Sequence, residues 1–238
     1  VRALPVSTLN VTCQRPIVSF TFDDVPDTAY TAGARILEEN GVRGTFYIAG
    51  SLIGTTEPDR NLISAEGCRS LAQSGHEIGC HTFAHKPVRT LSGSELARDL
   101  NGNAEVLDGF DHAAGLRNFA YPYNQGSLRH RHAFSKRYAT ARAGGDRINR
   151  GKVNRSYLWG MEIRQPEVDA LDLTRQIDAV VAEPGWLIFF THDISDDPTP
   201  YGCTPETFSC LVRHAVSAGC LVLPVRDALG HIREVGPG

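Results

Sequence analysis

Four strand-like stretches of this chain end at or just before a residue able to do chemistry, and that coincidence constrains the fold more than any other feature. Ile17-Val18-Ser19-Phe20-Thr21-Phe22 runs into Asp23-Asp24, the stretch 76–80 into His81, and the stretch 118–121 stops just short of Tyr123. Trp186-Leu187-Ile188-Phe189-Phe190-Thr191 ends in His192 and is apolar on both sides, as strands buried on both faces of a parallel sheet or barrel are. Helical patterns alternate with these strands through one continuous stretch of chain. A (β/α) barrel gathers the carboxyl ends of all its strands at one mouth, so the expected fold is α/β with a parallel, barrel-like sheet.

The punctuation places the elements. A helix is expected over 28–40, stopped by Gly41, then a strand over 44–49 and a helix over 62–73 ended by Ser74-Gly75. Ser92-x-x-Glu95 forms a capping box that opens a third helix. Strands follow over 118–121, 138–143 and 157–163, and a helix over 168–182 ends at Pro184-Gly185. Thr204-Pro205-Glu206 opens the last expected helix, with Thr as cap and Pro in the first turn, before Leu221-Val222-Leu223. No internal repeat or linker interrupts the series, so residues 1–238 are expected to form a single domain.

Adjacent carboxylates repel, so a buried Asp23-Asp24 pair needs a cation to reward it. His81-Thr82-Phe83-Ala84-His85 places two imidazoles four residues apart. Together they supply one oxygen, two nitrogens and a spare carboxylate, the inventory of a catalytic zinc-type site with an open position. Zinc, cobalt, nickel and manganese all suit such a set, with zinc the first expectation.

A net charge of −3 makes no general case for nucleic acid, and no nucleic-acid module is recognisable. No apolar stretch approaches the ~20 residues that span a bilayer. Residues 1–13 lack the charged start and long apolar run of a signal peptide. The six cysteines form no C-x-x-C and no tight framework, which leans towards a reducing, cytoplasmic compartment; removal of a leader would make the protein secreted. Cys80 borders His81 but has the small, apolar surroundings of a buried free thiol.

Thr21-Phe22-Asp23-Asp24 followed by His76-Glu77-Ile78-Gly79-Cys80-His81-Thr82-Phe83-Ala84-His85 resembles the polysaccharide deacetylase family (NodB homology, carbohydrate esterase family 4). Gly44-Thr45-Phe46-Tyr47-Ile48 resembles its second strand, and the likeness runs from about residue 16 to 224. The resemblance implies a distorted, NodB-like (β/α) barrel of seven strands and metal-assisted removal of an N-acyl group from an amino sugar. It implies Asp24, His81 and His85 as metal ligands, Asp23 as the base that takes a proton from water, and His192 as the acid that protonates the leaving amine. Phe119-Ala120-Tyr121-Pro122-Tyr123 resembles the third motif, in which the backbone N–H at Tyr123, after Pro122, faces the oxyanion. Phe190 falls where the family has an apolar wall for the acetyl methyl.

Three departures bear on this. The family often has Arg two residues before the proline, where it braces the base; here that position is Ala120, and Arg142 on the neighbouring strand is the expected replacement. The Asp-rich fourth motif is absent, and Asn124 stands where Gly is common. Residues 129–155 hold nine of the 24 basic residues against a single acid, Asp146, so one reading is a rim for an anionic acylated amino sugar and the other a solvated face. The 192–197 segment is expected as a polar loop rather than a second metal site. Other N-acyl hydrolysis, by a sugar deformylase or cyclic amidase, and a catalytically silent sugar-binding module are the competing functions.

Overall fold

In the computed structural model, which describes residues 8–112, 117–165 and 170–234, the chain runs β1 (Thr8–Val11), β2 (Ile17–Asp23), α1 (Arg35–Glu39), β3 (Thr45–Ile48), α2 (Ala65–Gln73), β4 (Glu77–Cys80), α3 (Gly93–Asp108), β5 (Phe119–Ala120) and α4 (Arg131–Arg137). It continues through β6 (Ala141–Gly144), β7 (Gly151–Asn154), β8 (Leu158–Glu162), α5 (Ala170–Ala182), β9 (Trp186–Thr191), α6 (Pro205–Ser217), β10 (Leu221–Val222) and α7 (Val225–Glu234). Seven parallel strands close in the order β2-β3-β4-β5-β6-β8-β9, and β9 returns to β2 with Ile17 opposite Trp186 and Phe22 opposite Thr191. This is the distorted (β/α) barrel expected from the sequence. The short β10 lies against the start of β2, while β3 meets only its end, at Thr21 to Asp23. β1 and β7 form a separate antiparallel pair.

Strand alternation sorts the apolar residues into two cores. Val18, Phe20 and Phe22 of β2 and Leu187 and Phe189 of β9 pack outward under the helices. The rings of Phe22 and Phe46 stack at 4.5 Å, and Phe208 of α6 meets both Phe20 and Phe22 at 5.4 Å. The residues between them face the other way: Ile17, Leu158, Trp186 and Ile188 fill the barrel and meet Val225, Ala228, Leu229 and Ile232 of α7. Each fully buried side chain of this kind contributes roughly 1.5–3 kcal/mol, so α7 is a floor that the closed barrel needs.

The helix starts follow local chemistry. Ser92 and Glu95 make the expected reciprocal capping box, and Thr204 accepts from the Thr207 amide ahead of α6. The helix expected over 62–73 begins only at Ala65. Leu62 and Ile63 are held extended by amide bonds to the Thr55 and Val25 carbonyls, and Ser64 caps α2 by accepting from the Gly67 amide. The first half of the helix expected from residue 28 is a π-helical stretch, Ala29–Ala34, ahead of α1. There Gly33 lies so close to Phe22 that a Cβ would sit 2.8 Å from the ring. Residues 168 and 169 of the helix ending at Ala182 fall outside the described residues. The strand over 186–191 has its expected bounds, β2 runs one residue further to Asp23, β6 is shifted to 141–144, and the other expected strands are a residue shorter at one or both ends; α4, α7, β1 and β7 are additions to the expected series.

A buried polar network lies where β3, β4 and α7 meet. Glu77 Oε2 accepts from Thr45 Oγ1 and the Arg226 amide, both at 2.8 Å, and Oε1 accepts from Asn118 Nδ2 at 2.6 Å. Thr45 Oγ1 in turn accepts from the Val225 amide, so barrel residues satisfy the first amides of α7. Glu77→Gln must set an NH2 group against one of these donors, at an expected cost of about 1–3 kcal/mol. Burial raises the Glu77 carboxyl above its ordinary range, against the pull of its donors. The folded state therefore keeps that proton longer, and the associated stability, full below the ordinary carboxylate range, is lost as pH rises through the raised value. Denaturant unfolding should show the gap between wild type and Glu77→Gln narrowing as pH rises; a widening gap would contradict this.

Candidate active site

The turn after β2 puts both carboxylates at the barrel mouth. Asp23 is the last strand residue, and the chain then reverses through Asp24 (φ 59°) and Val25 (φ 63°), closed by the Val25 amide on the Asp23 carbonyl at 2.5 Å. Both carboxylates are buried, Asp23 to 3% and Asp24 to 4% exposure. The left-handed backbone at Asp24 and at a β-branched Val25 costs energy, which functional sites commonly store.

Two imidazoles from the loop after β4 converge on Asp24 Oδ1. His85 Nε2 lies 2.9 Å away and His81 Nε2 3.5 Å away. His81 Nδ1 lies 2.8 Å from the Ala120 carbonyl, which fixes it as the protonated nitrogen and leaves Nε2 with its lone pair towards Asp24. Burial foremost pushes the His81 pKa down, to about 4, so the ring is neutral near pH 7. Burial alone would raise the Asp24 carboxyl, but His85, His81 and His192 together outweigh it and hold it well below the usual carboxylate range. The loop carrying the histidines is clamped from α3, where Asp99 accepts from the Phe83 amide at 2.7 Å and the Ala84 amide at 2.9 Å. Asn103, one helical turn on, donates to the Ile48 carbonyl and accepts from the Gly50 amide.

This cluster fits a divalent metal. Asp24 Oδ1 is buried with no hydrogen-bond partner, despite two imidazole nitrogens within 3.5 Å. A buried carboxylate oxygen left in that state is costly unless a cation meets it. Asp24, His81 and His85 bring their ligand atoms within 4.8 Å of one another, a one-oxygen, two-nitrogen set of the zinc type. Oδ2 is engaged elsewhere, by Arg60 at 3.0 Å.

Asp23 faces a different partner. Arg142 NH2 donates to both of its oxygens, at 2.5 Å to Oδ1, and NH1 donates to Asn124 Oδ1 at 3.0 Å. Arg142 is 1% exposed and sits directly across the β5–β6 register from Ala120, the position at which the resemblance carries its Arg. Its guanidinium lies 4.4 Å over the Phe190 ring and 5.5 Å from that of Tyr47. Gly160 makes room for it: a Cβ there would stand 2.7 Å from Arg142 Cδ and 3.1 Å from Phe190. Phe190 thus lies beneath the guanidinium at 2% exposure and does not line the cleft.

His192 closes the opposite side. Its Nδ1 lies 3.2 Å from the Tyr201 carbonyl, and its Nε2 stands 4.0 Å from Asp24 Oδ2. The loop behind it is a polar turn in which the Asp193 carboxylate accepts from the amide and hydroxyl of Thr199. Pro122 opens the short turn that carries Tyr123 (φ 58°) and Asn124 (φ 56°) into the cleft, with the Tyr123 ring 4.8 Å from that of His85. Among the described residues, six of the seven non-glycine residues at positive φ (Asp24, Val25, Thr82, His85, Tyr123 and Asn124) belong to these three turns.

The cleft encloses about 400 Å³, and its walls add residues not singled out in the sequence: Glu57, Arg60, Glu162, Arg164 and Tyr201. Glu57 pairs with Arg60 at 2.7 Å, an i,i+3 contact whose spacing is visible in the sequence but whose link to Asp24 is not. Glu162, on β8, has its carboxyl raised by burial. None of the nine basic residues between 129 and 155 lines this cleft. His76 is a satisfied polar position, accepting from the Gly44 amide and facing Glu38 at 3.1 Å.

A family model described as polysaccharide deacetylase matches residues 10–140, more than half of the chain. A chitin deacetylase of Colletotrichum lindemuthianum is 33% identical over 113 residues, which cover 46% of this chain and 44% of that protein. The chain spans half or less of the length of the curated relatives it matches. Among solved structures, a family 4 acetyl xylan esterase from Clostridium thermocellum, in complex with a cobalt ion, aligns with a TM-score of 0.61 at 21% identity over 90% of each chain. A family 4 carbohydrate esterase from Bacillus anthracis aligns with a TM-score of 0.65 at 16% identity, over 94% of this chain and 86% of that one. At these identities the structural likeness is one of fold.

Proposed function

The chain belongs to the polysaccharide deacetylase family, and on that footing we propose that it is a metal-dependent hydrolase that removes an N-acetyl group from an amino sugar within a polysaccharide or oligosaccharide. The observation that carries the reading is the juxtaposition of two differently served carboxylates. Asp24 turns a partnerless oxygen to two histidines, and Asp23, one residue away, is held by a buried guanidinium. All these groups come from one barrel, which supports reading residues 1–238 as a single catalytic domain.

Asp24, His81 and His85 hold one divalent cation, zinc first; the cobalt in a structural neighbour is in keeping with a donor set that several late first-row ions accept. When bound, such a cation polarises an amide carbonyl and eases the deprotonation of water. The chain supplies the rest. Asp23 accepts the proton from the attacking water at a carboxylate oxygen, with Arg142 fixing its orientation. His192 donates at Nε2 to the departing nitrogen, because its Nδ1–H is committed to the Tyr201 carbonyl. The backbone N–H of Tyr123, presented by the strained turn after Pro122, faces the developing oxyanion. Phe190 supports Arg142 from below, so the acetyl methyl meets the cleft walls above it.

The absence of the usual Arg and of the Asp-rich motif motivates the reading as a silent sugar-binding module; the Arg142–Asp23 contact speaks for an active hydrolase. The test is acetate release from N-acetylated oligosaccharides, before and after chelation and metal restoration. Metal-dependent acetate release is the expected result. Formate release from N-formyl sugars instead would move the reading to another N-acyl hydrolase, and no turnover by metal-loaded protein would leave the binding module.

A further inference from the structure

The basic residues between 129 and 155 divide into two groups. Most are committed to the fold: Arg137 donates to Asn101 and the Leu100 carbonyl, Arg150 to the Glu183 and Ala179 carbonyls, and Arg155 to the Ser135 and Tyr138 carbonyls. Arg142 serves Asp23, and Arg147 lies 5.5 Å from the Trp159 ring. Arg129, Arg131, Lys136 and Lys152 have no hydrogen bond or ion pair among the described residues. Of these four, Arg131 and Lys152 border one cavity of about 540 Å³, larger than the catalytic cleft.

That cavity lies on the outer flank of the barrel. Between β6 and β8 the chain forms β7 in place of a crossover helix, and the cavity opens beside it, against Tyr157 and Trp159. Trp159 alternates with the inward-facing Leu158 and Gly160, so its ring stands outside. The segment after β5 separates the two spaces: Tyr123 and Asn124 line the cleft, and Gly126, Ser127 and Leu128 line the cavity. Leu128 is 79% exposed, an apolar side chain held in water at the cavity edge. No acidic residue lines the cavity among the described residues.

Aromatic and aliphatic surface suits the C–H faces of a pyranose, and Asn154 and Ser156 on the wall suit its hydroxyls. Two free cations without a neighbouring carboxylate select negative charge. We infer that this cavity is a second carbohydrate site, separate from the cleft, which binds an anionic saccharide: a pyranose bearing a carboxylate or a phosphate. The inference goes beyond the proposed deacetylation and does not depend on it, because binding is read without turnover.

The test uses the full chain and tryptophan fluorescence, in which Trp159 responds to ligand at the cavity while Trp186 is fully buried. Three probes are titrated: a tetrasaccharide alternating glucuronate with N-acetylglucosamine, N-acetylglucosamine 6-phosphate, and neutral tetra-N-acetylchitotetraose. At least one anionic probe should saturate the signal, and which one assigns carboxylate or phosphate as the preferred charge. Binding should weaken about tenfold or more in Arg131→Gln/Lys152→Gln, and also on raising salt from about 50 to about 500 mM, which shortens the screening length severalfold. It should persist in His81→Ala/His85→Ala. Equal affinity for the neutral probe, an unchanged affinity in Arg131→Gln/Lys152→Gln, loss of binding in the histidine variant, or no binding by any probe would each overturn the inference.

Discussion

Asp23→Asn is expected to lower kcat for deacetylation about 10²–10⁴-fold, the usual worth of a positioned general base, while the protein still binds its metal. Asp24, His81 and His85 form the ligand cluster without Asp23, so a variant that lost the metal as well would show that Asp23 belongs to the metal site. The substitution has a second consequence. It leaves the Arg142 guanidinium, 1% exposed, without its carboxylate, and removing one partner of a buried ion pair costs about 3–5 kcal/mol. Turnover must therefore be measured on protein shown to be folded, well below its Tm. Asp23→Asn/Arg142→Met removes both charges and should recover much of the stability but none of the turnover. That split separates the proton-transfer role of Asp23 from its part in holding the barrel together.

Arg142→Met carries the other large effect. It leaves a 3% exposed carboxylate unpaired, with an expected stability loss of about 3–5 kcal/mol. Loss of the brace should also cut kcat, by roughly tenfold or more, which a misplaced catalytic group readily causes. Arg142→Lys retains the charge but not the planar fork that reaches both oxygens of Asp23 and the Asn124 side chain. It should keep more stability than Met and recover little of the rate. An Arg142→Met protein that unfolds earlier but turns over at the wild-type rate when folded would reduce Arg142 to a packing residue. Gly160 is the companion of this arrangement, because any Cβ there would collide with Arg142 Cδ and the Ala143 carbonyl.

How far the site was legible in the sequence depends on whether the controlling contacts are local. The end of β2, the His81/His85 pair and the Ser92 and Thr204 caps are short-range patterns, and each lies where its spacing indicates. The apolar runs 17–22 and 186–191 marked the two strands that close the barrel, since burial on both faces leaves a continuous apolar signal. Arg142 was accessible only by assuming that β5 and β6 are neighbours, and its register opposite Ala120 supplies the reason it reaches Asp23. Arg60 was not accessible: it lies 36 residues from Asp24 in a loop with no periodicity, and only the fold brings the two together. The same holds for α7, whose first amides are satisfied by Thr45 and Glu77 from strands nearly 150 or more residues earlier. The early start of α2 failed for a related reason, because long-range amide bonds hold residues 62 and 63 extended against their helical pattern. The basic stretch 129–155 is legible only in part: four of its nine members, Arg137, Arg142, Arg150 and Arg155, donate to carbonyls or a carboxylate, which its density does not reveal.

The central claim is that Asp24, His81 and His85 form one metal centre. Metal content per chain, measured after reconstitution for wild type and His81→Ala/His85→Ala side by side, tests it most directly. One divalent ion in the wild type and none in the double variant is the predicted result. Equal metal in both proteins, or none in the wild type, would contradict it.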